Sequence, residues 1–245
     1  MAINVNNVYQ TVLFILNKEQ RGYMTPAEFN KIATQVQLEI FEKYFEDLNQ
    51  QLRTPQNDSE YANRVKILQE NISTFETNET VTLAGGATYL DLPDDLHRLG
   101  SIQYEPAGLD PVELEEFTQH DYNLASRSRL TAPTLSFPAF VLNESGIRTY
   151  PSIKSVQVYY IKKPKDVVWG YTVGTQGQYI FNNSNNPVDP GVVPSTGSQD
   201  FEISSIDQNE VIIKILMYAG VIIRDPQIVS NAATLIAQED MNEKN

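Results

Sequence analysis

The stretch NEVIIKILMYAGVIIRDP, residues 209–226, sets the first constraint on the fold. From Val211 to Ile223 it is apolar apart from Lys214. A helix that is hydrophobic on every side must be surrounded by protein or lipid. Crossing a bilayer takes about 20 apolar residues, and Arg224, Asp225 and Pro226 end this run well short of that. The segment therefore predicts a helix packed among other elements of the chain, with Ala219 and Gly220 allowing a neighbouring helix to come close.

The rest of the chain has enough material to build that surround. Hydrophobic residues make up 41% of 245 residues, too many for wholesale disorder and enough for one large domain or two ordinary ones. There are no cysteines, so disulfides, thiolate zinc sites and cysteine nucleophiles are excluded. The formal charge is −13, with Lys+Arg 18 against Asp+Glu 31. That balance disfavours tight binding to a phosphate backbone, which needs Lys and Arg to neutralise charge. The N-terminus has an apolar patch at Val12–Leu16 without a preceding basic residue, and reads as a helix of the mature protein, not as a signal peptide.

Helical patterns occupy the first third. Asn4 or Asn7 can cap a first helix that carries Val8, Val12, Ile15 and Leu16 and ends near Gly22. Thr25, Pro26 and Glu28 form a capping-box start, with threonine at the cap, proline at the first helical position and an acid three residues on. The helix that follows, 26–52, has two apolar stripes: Phe29, Ile32, Val36 and Ile40, then Leu38, Phe41, Phe45, Leu48 and Leu52. Such a broad face suits a helix with more than one neighbour. Asp58 is positioned to cap a third helix bearing Tyr61, Val65, Leu68, Ile72 and Phe75 at spacings of three and four.

The period then shifts towards two. VTL and TYLDL flank AGGA and read as a hairpin around Gly85 and Gly86. Strands are expected at 99–104, 112–114, 140–142, 146–150 and 155–161, and a short helix at 115–125. SVQVYYI, 155–161, is the strongest strand, rich in β-branched and aromatic residues. VVWGYTV is strand-like, and residues 174–200 read as a long polar loop, either a surface excursion or an arm that orders against a partner. Ser205 or Asp207 caps the opening apolar helix, and Pro226 begins a last helix with Ile228, Ala232, Leu235 and Ile236 inward.

The expected fold class is α+β: a helical bundle from both chain ends (1–78 plus 202–245) with a β-rich insertion (79–201). Chain termini often lie close together, which lets the end helices share a core.

Residue patterns that carry chemistry are missing. The two histidines, His97 and His120, lack a serine motif or a metal-ligand partner at i+4. Asp91, Asp94 and Asp95 cluster without the glycine and terminal glutamate of a calcium loop. Glu113, Glu115 and Glu116 read as the solvated start of the 115–125 helix. AGGA has no P-loop lysine, and Lys162, Lys163 and Lys165 form a short basic edge. No catalytic residue, cofactor, metal or membrane partner is expected. Tyr and Trp favour interfaces, and the candidate subunit-interface residues are Phe41, Phe45, Trp169, Tyr171, Tyr179 and Phe181.

The segments NVNNVYQTVLFILNKEQRGYMTPAEFNKIATQVQLEIFEKYFEDLNQQLR and DFEISSIDQNEVIIKILMYAGVIIRDPQIVSNA resemble the ring, or neck, proteins of crAss-like and related short-tailed phages. These are similar in layout to head-to-tail adaptors, also called tail tubular proteins. The resemblance covers both helical ends and is vague between them. It implies a structural virion protein made in the host cytoplasm. It further implies a ring of copies, most often twelvefold, beneath the portal protein and above other neck or tail rings, with the genomic DNA passing through without specific binding. An acidic channel wall would repel phosphates and let DNA slide.

Two other functions compete with that one. A virion-associated glycan hydrolase would need a cleft with two carboxylates about 5–10 Å apart. A glycan-binding module would use the aromatic β region.

Overall fold

In the computed structural model, which describes residues 2–18, 23–53, 59–106, 108, 110–182, 192–193, 197–223, 230–231, 233–238 and 241, the chain forms two compact units. The first is built from 1–74 and 164–245, the second from 75–163. The fold is mixed α+β, with end helices packed together and sheets inserted between them.

The first unit opens with strand β1 (Ala2–Ile3) and helix α1 (Val5–Lys18), followed by α2 (Pro26–Arg53) and α3 (Ser59–Ser73). The Asn7 amide donates to Asn4 Oδ1 at 3.1 Å, as expected of a cap for α1. At the start of α2 the capping box is complete. The Thr25 hydroxyl and amide both donate to Glu28 Oε2, at 2.7 and 2.9 Å, and the Glu28 amide points back to the Thr25 hydroxyl at 3.4 Å. The expected α1 end near Gly22, the Asp58 cap and the Pro226 start lie outside the described residues.

The second unit contains β2 (Glu76–Thr82), β3 (Leu96–Tyr104), β4 (Val112–Glu113), β5 (Glu115–Glu116), α4 (Gln119–Ala125), β6 (Ala139–Asn143), β7 (Gly146–Tyr150) and β8 (Ser155–Lys162). Its four-stranded sheet has the order β2-β8-β3-β4, and its three-stranded sheet the order β5-β6-β7. Val81, Ile102, Val156 and Val158 from the first sheet share a core with Phe140 and Ile147 from the second. Strand β8 buries every second residue, Val156, Val158 and Tyr160, as its alternation demands. Gly146 begins β7 with φ 117°, and a Cβ there would sit 2.3 Å from the Leu90 carbonyl oxygen, so only glycine fits.

Two local expectations fail in this unit. The Gly85-Gly86 hairpin does not form. Strand β2 pairs along its length with β8, and Leu90 bridges Ile147. The buried alternating face of β8 outcompetes the short TYLDL segment as a partner. The helix expected at 115–125 begins later, at Gln119, capped by the Thr118 hydroxyl. Glu113 and Glu115 to Glu116 are instead strand residues, because the amides of Leu114, Glu115 and Phe117 bond to Ile102, Pro138 and Phe140.

The chain returns to the first unit with β9 (Tyr171–Val173), β10 (Tyr179–Phe181), β11 (Val192–Val193), β12 (Phe201–Ser204) and α5 (Gln208–Ile223). Residues 233–238 are also helical. Strand β12 pairs with β1, bringing the start of the chain against the segment that leads into α5. Helix α5 packs on α1 and α2. The axis of the body, however, is α2. It touches both α3 and α5 and buries residues on both its stripes. In α5, Val211, Ile215 and Ala219 are fully buried at spacings of four, while Ile212, Ile213, Leu216 and Met217 are half-buried.

Lys214 has its own explanation. Glu210, one turn earlier and buried, accepts from Lys214 at 3.2 Å and from Lys43 of α2 at 3.2 Å. The one charge in the apolar run thus completes an ion cluster between two helices, where a lone buried cation would be costly. Beside it the Tyr44 hydroxyl donates to Asp207. Burial first, and the Asp207 carboxylate next, push that hydroxyl far above the ordinary phenol range.

The domain boundary lies elsewhere than the sequence pattern indicates. The unit that holds the helices resumes at Pro164 and so includes β9 and β10.

Candidate interaction surface

The polar residues of α2 explain why 164–201 joins the helical unit. Asn30, Thr34 and Gln37 lie at spacings of four and three, so they share one face. The Trp169 amide donates to Asn30 Oδ1 at 2.8 Å, and Asn30 Nδ2 donates back to the Trp169 carbonyl at 3.4 Å. The Val167 amide donates to the Thr34 hydroxyl at 3.1 Å, which returns to the Val167 carbonyl at 3.4 Å. Gln37 is completely buried. Its Nε2 donates to the Lys165 carbonyl at 2.7 Å, and its Oε1 accepts from the Glu202 amide at 2.9 Å. Three side chains of a helix therefore serve alternate residues of an extended segment as a neighbouring strand would, and satisfy backbone groups that would otherwise be orphaned. Asn30, Thr34 and Gln37 were the missed signal: polar residues at helical spacing beside an apolar stripe.

This ladder presents Trp169 to the body. The indole is 4% exposed, and its Nε1–H donates to Asn6 Oδ1 at 3.1 Å. Its ring lies 4.5 Å from Tyr9, 5.8 Å from Tyr171 and 5.6 Å from Phe181, centroid to centroid. Tyr9 in turn packs on Phe29 at 4.8 Å and donates to the Met24 carbonyl at 3.1 Å. Burial, and then the neighbouring Tyr23, raise the Tyr9 hydroxyl far above the usual phenol range. In the antiparallel pair β9-β10, Phe181 stands opposite Tyr171 and Tyr179 opposite Val173. These four side chains share a face. Tyr171 packs edge-on against Tyr179 at 5.0 Å.

The six expected interface residues divide accordingly. Phe41, Phe45 and Trp169 are buried within the unit and offer no surface to a neighbour. Their apolar area is spent on closing the helical body. Tyr171 and Phe181 are half-buried, and Tyr179 is 39% exposed at the rim, beside exposed Val173. The aromatic cluster thus grades from core to surface along one hairpin. The hairpin occupies part of the expected 174–200 loop. Gly174–Gln178 is its turn, closed by the Gly174 amide on the Gln178 carbonyl at 2.8 Å, and Ser198 pins its base to Asn182 and Gly170. Residues 183–191 and 194–196 of that loop lie outside the described residues.

In the second unit, Glu113, Glu115 and Glu116 line an open groove of about 390 Å³ with Ile102 and Phe140. All three carboxylates are exposed. His97 lies in β3 and His120 in α4. Among the described residues no cluster of three or more His, Asp or Glu could hold a metal ion, and no helix is long and apolar enough to cross a membrane.

No known family model matches the chain, and no curated protein matches it in sequence.

Proposed function

We propose that this chain is a structural virion protein of a tailed phage. In this reading it forms a ring, twelvefold in the expected form, in the portal-proximal neck, joins head to tail and lines the channel for DNA. The observation that carries the reading is the distribution of apolar surface. Both chain ends close into one helical body, yet Tyr179, Val173 and Ile180 at the hairpin rim stay open, as do Leu130, Leu135 and Phe137 in the second unit. Exposed apolar groups grouped in this way mark association surfaces. The resemblance of both helical ends to phage ring proteins supplies the role, and the acidic charge suits a wall that DNA must pass without adhering.

Gold-labelled antibody against the chain, imaged on particles by electron microscopy, tests this reading. Label at the head–tail junction is the expected result. Particles labelled only on fibres or on the capsid surface, or not at all, would contradict it.

A further inference from the structure

The exposed apolar residues of the second unit are concentrated in one stretch. Leu124 is 51% exposed, Leu130 97%, Leu135 57% and Phe137 81%. Single exposed leucines are ordinary on a protein surface; four large apolar side chains within fourteen residues are not. The loop that carries them is held by its own hydrogen bonds. The Thr131 hydroxyl donates to the Ala125 carbonyl at 2.9 Å, the Ala132 amide to the Ser128 carbonyl at 2.9 Å, and Thr134 and Phe137 exchange amide–carbonyl bonds at 3.1 Å. Helix α4 before it is moored by Tyr122 stacked on Tyr150 at 3.6 Å. A surface ordered in advance loses little entropy when it docks.

Its charge runs against that of the chain. Between Asp121 and Glu144 there are two arginines, Arg127 and Arg129, and no carboxylate, in a protein whose net charge is −13. Both arginines are exposed.

The first unit carries a surface of the opposite kind. A groove of about 500 Å³ along α2 has Leu38 and Ile236 in its lining, with Glu39, Glu42, Glu46 and Asp47 around them. Lys43 and Lys214 also line it, each 3.2 Å from Glu210 Oε1, so four acids face two lysines there. A loop bearing arginines and a groove rich in acids are complementary in charge, and Leu38 and Ile236 offer the loop's leucines an apolar contact.

We infer that the 124–137 loop of one copy docks in the acidic α2 groove of the next copy. The two patches differ, so the contact is head-to-tail and repeats from copy to copy, closing into a ring when the rotation per subunit allows. The inference rests on the ring reading above and names the surface that makes it.

A photo-crosslinking benzoylphenylalanine at Leu130 of the full chain, with equal amounts of ¹⁴N- and ¹⁵N-labelled protein mixed, tests it. Mixed-isotope cross-links to α2 between residues 35 and 47 are expected. In parallel, Arg127→Glu with Arg129→Glu weakens self-association by about tenfold or more, and Glu42→Lys with Glu46→Lys in the same chain restores it. Arg127→Gln with Arg129→Gln serves as the milder variant, with circular dichroism confirming the fold. Wild-type chains that self-associate with cross-links elsewhere, within one copy or to another protein overturn this docking and leave the ring reading standing. Chains that never self-associate overturn both.

Discussion

The aromatic cluster around Trp169 and the loop 124–137 contain similar side chains with opposite fates. In the first, Trp169 and Tyr9 are buried under a hairpin. In the second, Leu130 and Phe137 stand in solvent. Hydrophobicity does not separate them. The polar ladder does: Asn30, Thr34 and Gln37 satisfy the backbone of 165–169 and thereby allow an irregular segment to lie against a helix. Among the described residues the hydrogen bonds of the loop are internal to it. Apolar residues are buried where their backbone can be accommodated, and those left over stand in solvent.

The sharpest contrast comes from truncating one aromatic in each region. Trp169→Ala should cost about 3–5 kcal/mol of stability in denaturant unfolding, through the cavity it leaves and the loss of its bond to Asn6. Phe137→Ala should change stability by less than about 0.5 kcal/mol, as at an exposed site. Equal effects would erase the distinction. Next comes Gln37→Leu, which keeps the volume but leaves the Lys165 carbonyl and the Glu202 amide without their partner. A loss of about 2–3 kcal/mol is expected, with faster hydrogen exchange at Glu202. Unchanged exchange there would show that the ladder does not hold the segment.

Glu210→Gln removes the charge shared by Lys43 and Lys214, two mostly buried side chains. A cost of about 1–2 kcal/mol is expected in thermal or urea unfolding, since hydrogen bonds to a charged group exceed neutral ones by roughly that amount. A smaller loss than at Gln37 is expected at the α2 cap, where Thr25→Val should cost about 1 kcal/mol near neutral pH. Hydrogen bonds from the Thr25 side chain, and then from its amide, hold the Glu28 carboxyl below the usual carboxylate range. A carboxyl with a lowered folded-state pKa contributes stability that is complete above its unfolded value and lost as pH falls through the folded one. The gap between wild type and Thr25→Val should therefore narrow below about pH 4. A gap independent of pH would mean that Glu28 is not part of the cap.

Much of the helical body is legible in sequence because its signals are local. Thr25, Pro26 and Glu28 announce the start of α2, and the two stripes that follow show that it has several neighbours. The alternation of SVQVYYI likewise announces β8. What escaped depends on distant partners. The pairing of β2 with β8 spans some eighty residues, and nothing near Gly85-Gly86 forbids a hairpin. Glu115 and Glu116 favour a helix start locally and are drawn into a strand by Pro138 and Phe140. The interface residues were harder still. Phe41, Phe45 and Trp169 look identical in sequence whether they face a core or a partner, and only the ladder from α2 puts Trp169 inside. The loop 124–137 gave no periodic signal, although its two arginines without a neighbouring acid were there to be read.

Native mass spectrometry of the full chain, recorded over a range of concentrations, puts the central claim to its most direct test. The claim is that the chain ends make one closed body and that the apolar surface they leave open is covered by copies of the chain. The account predicts monomer at low concentration giving way to a single closed stoichiometry. Monomer alone at every concentration would contradict it.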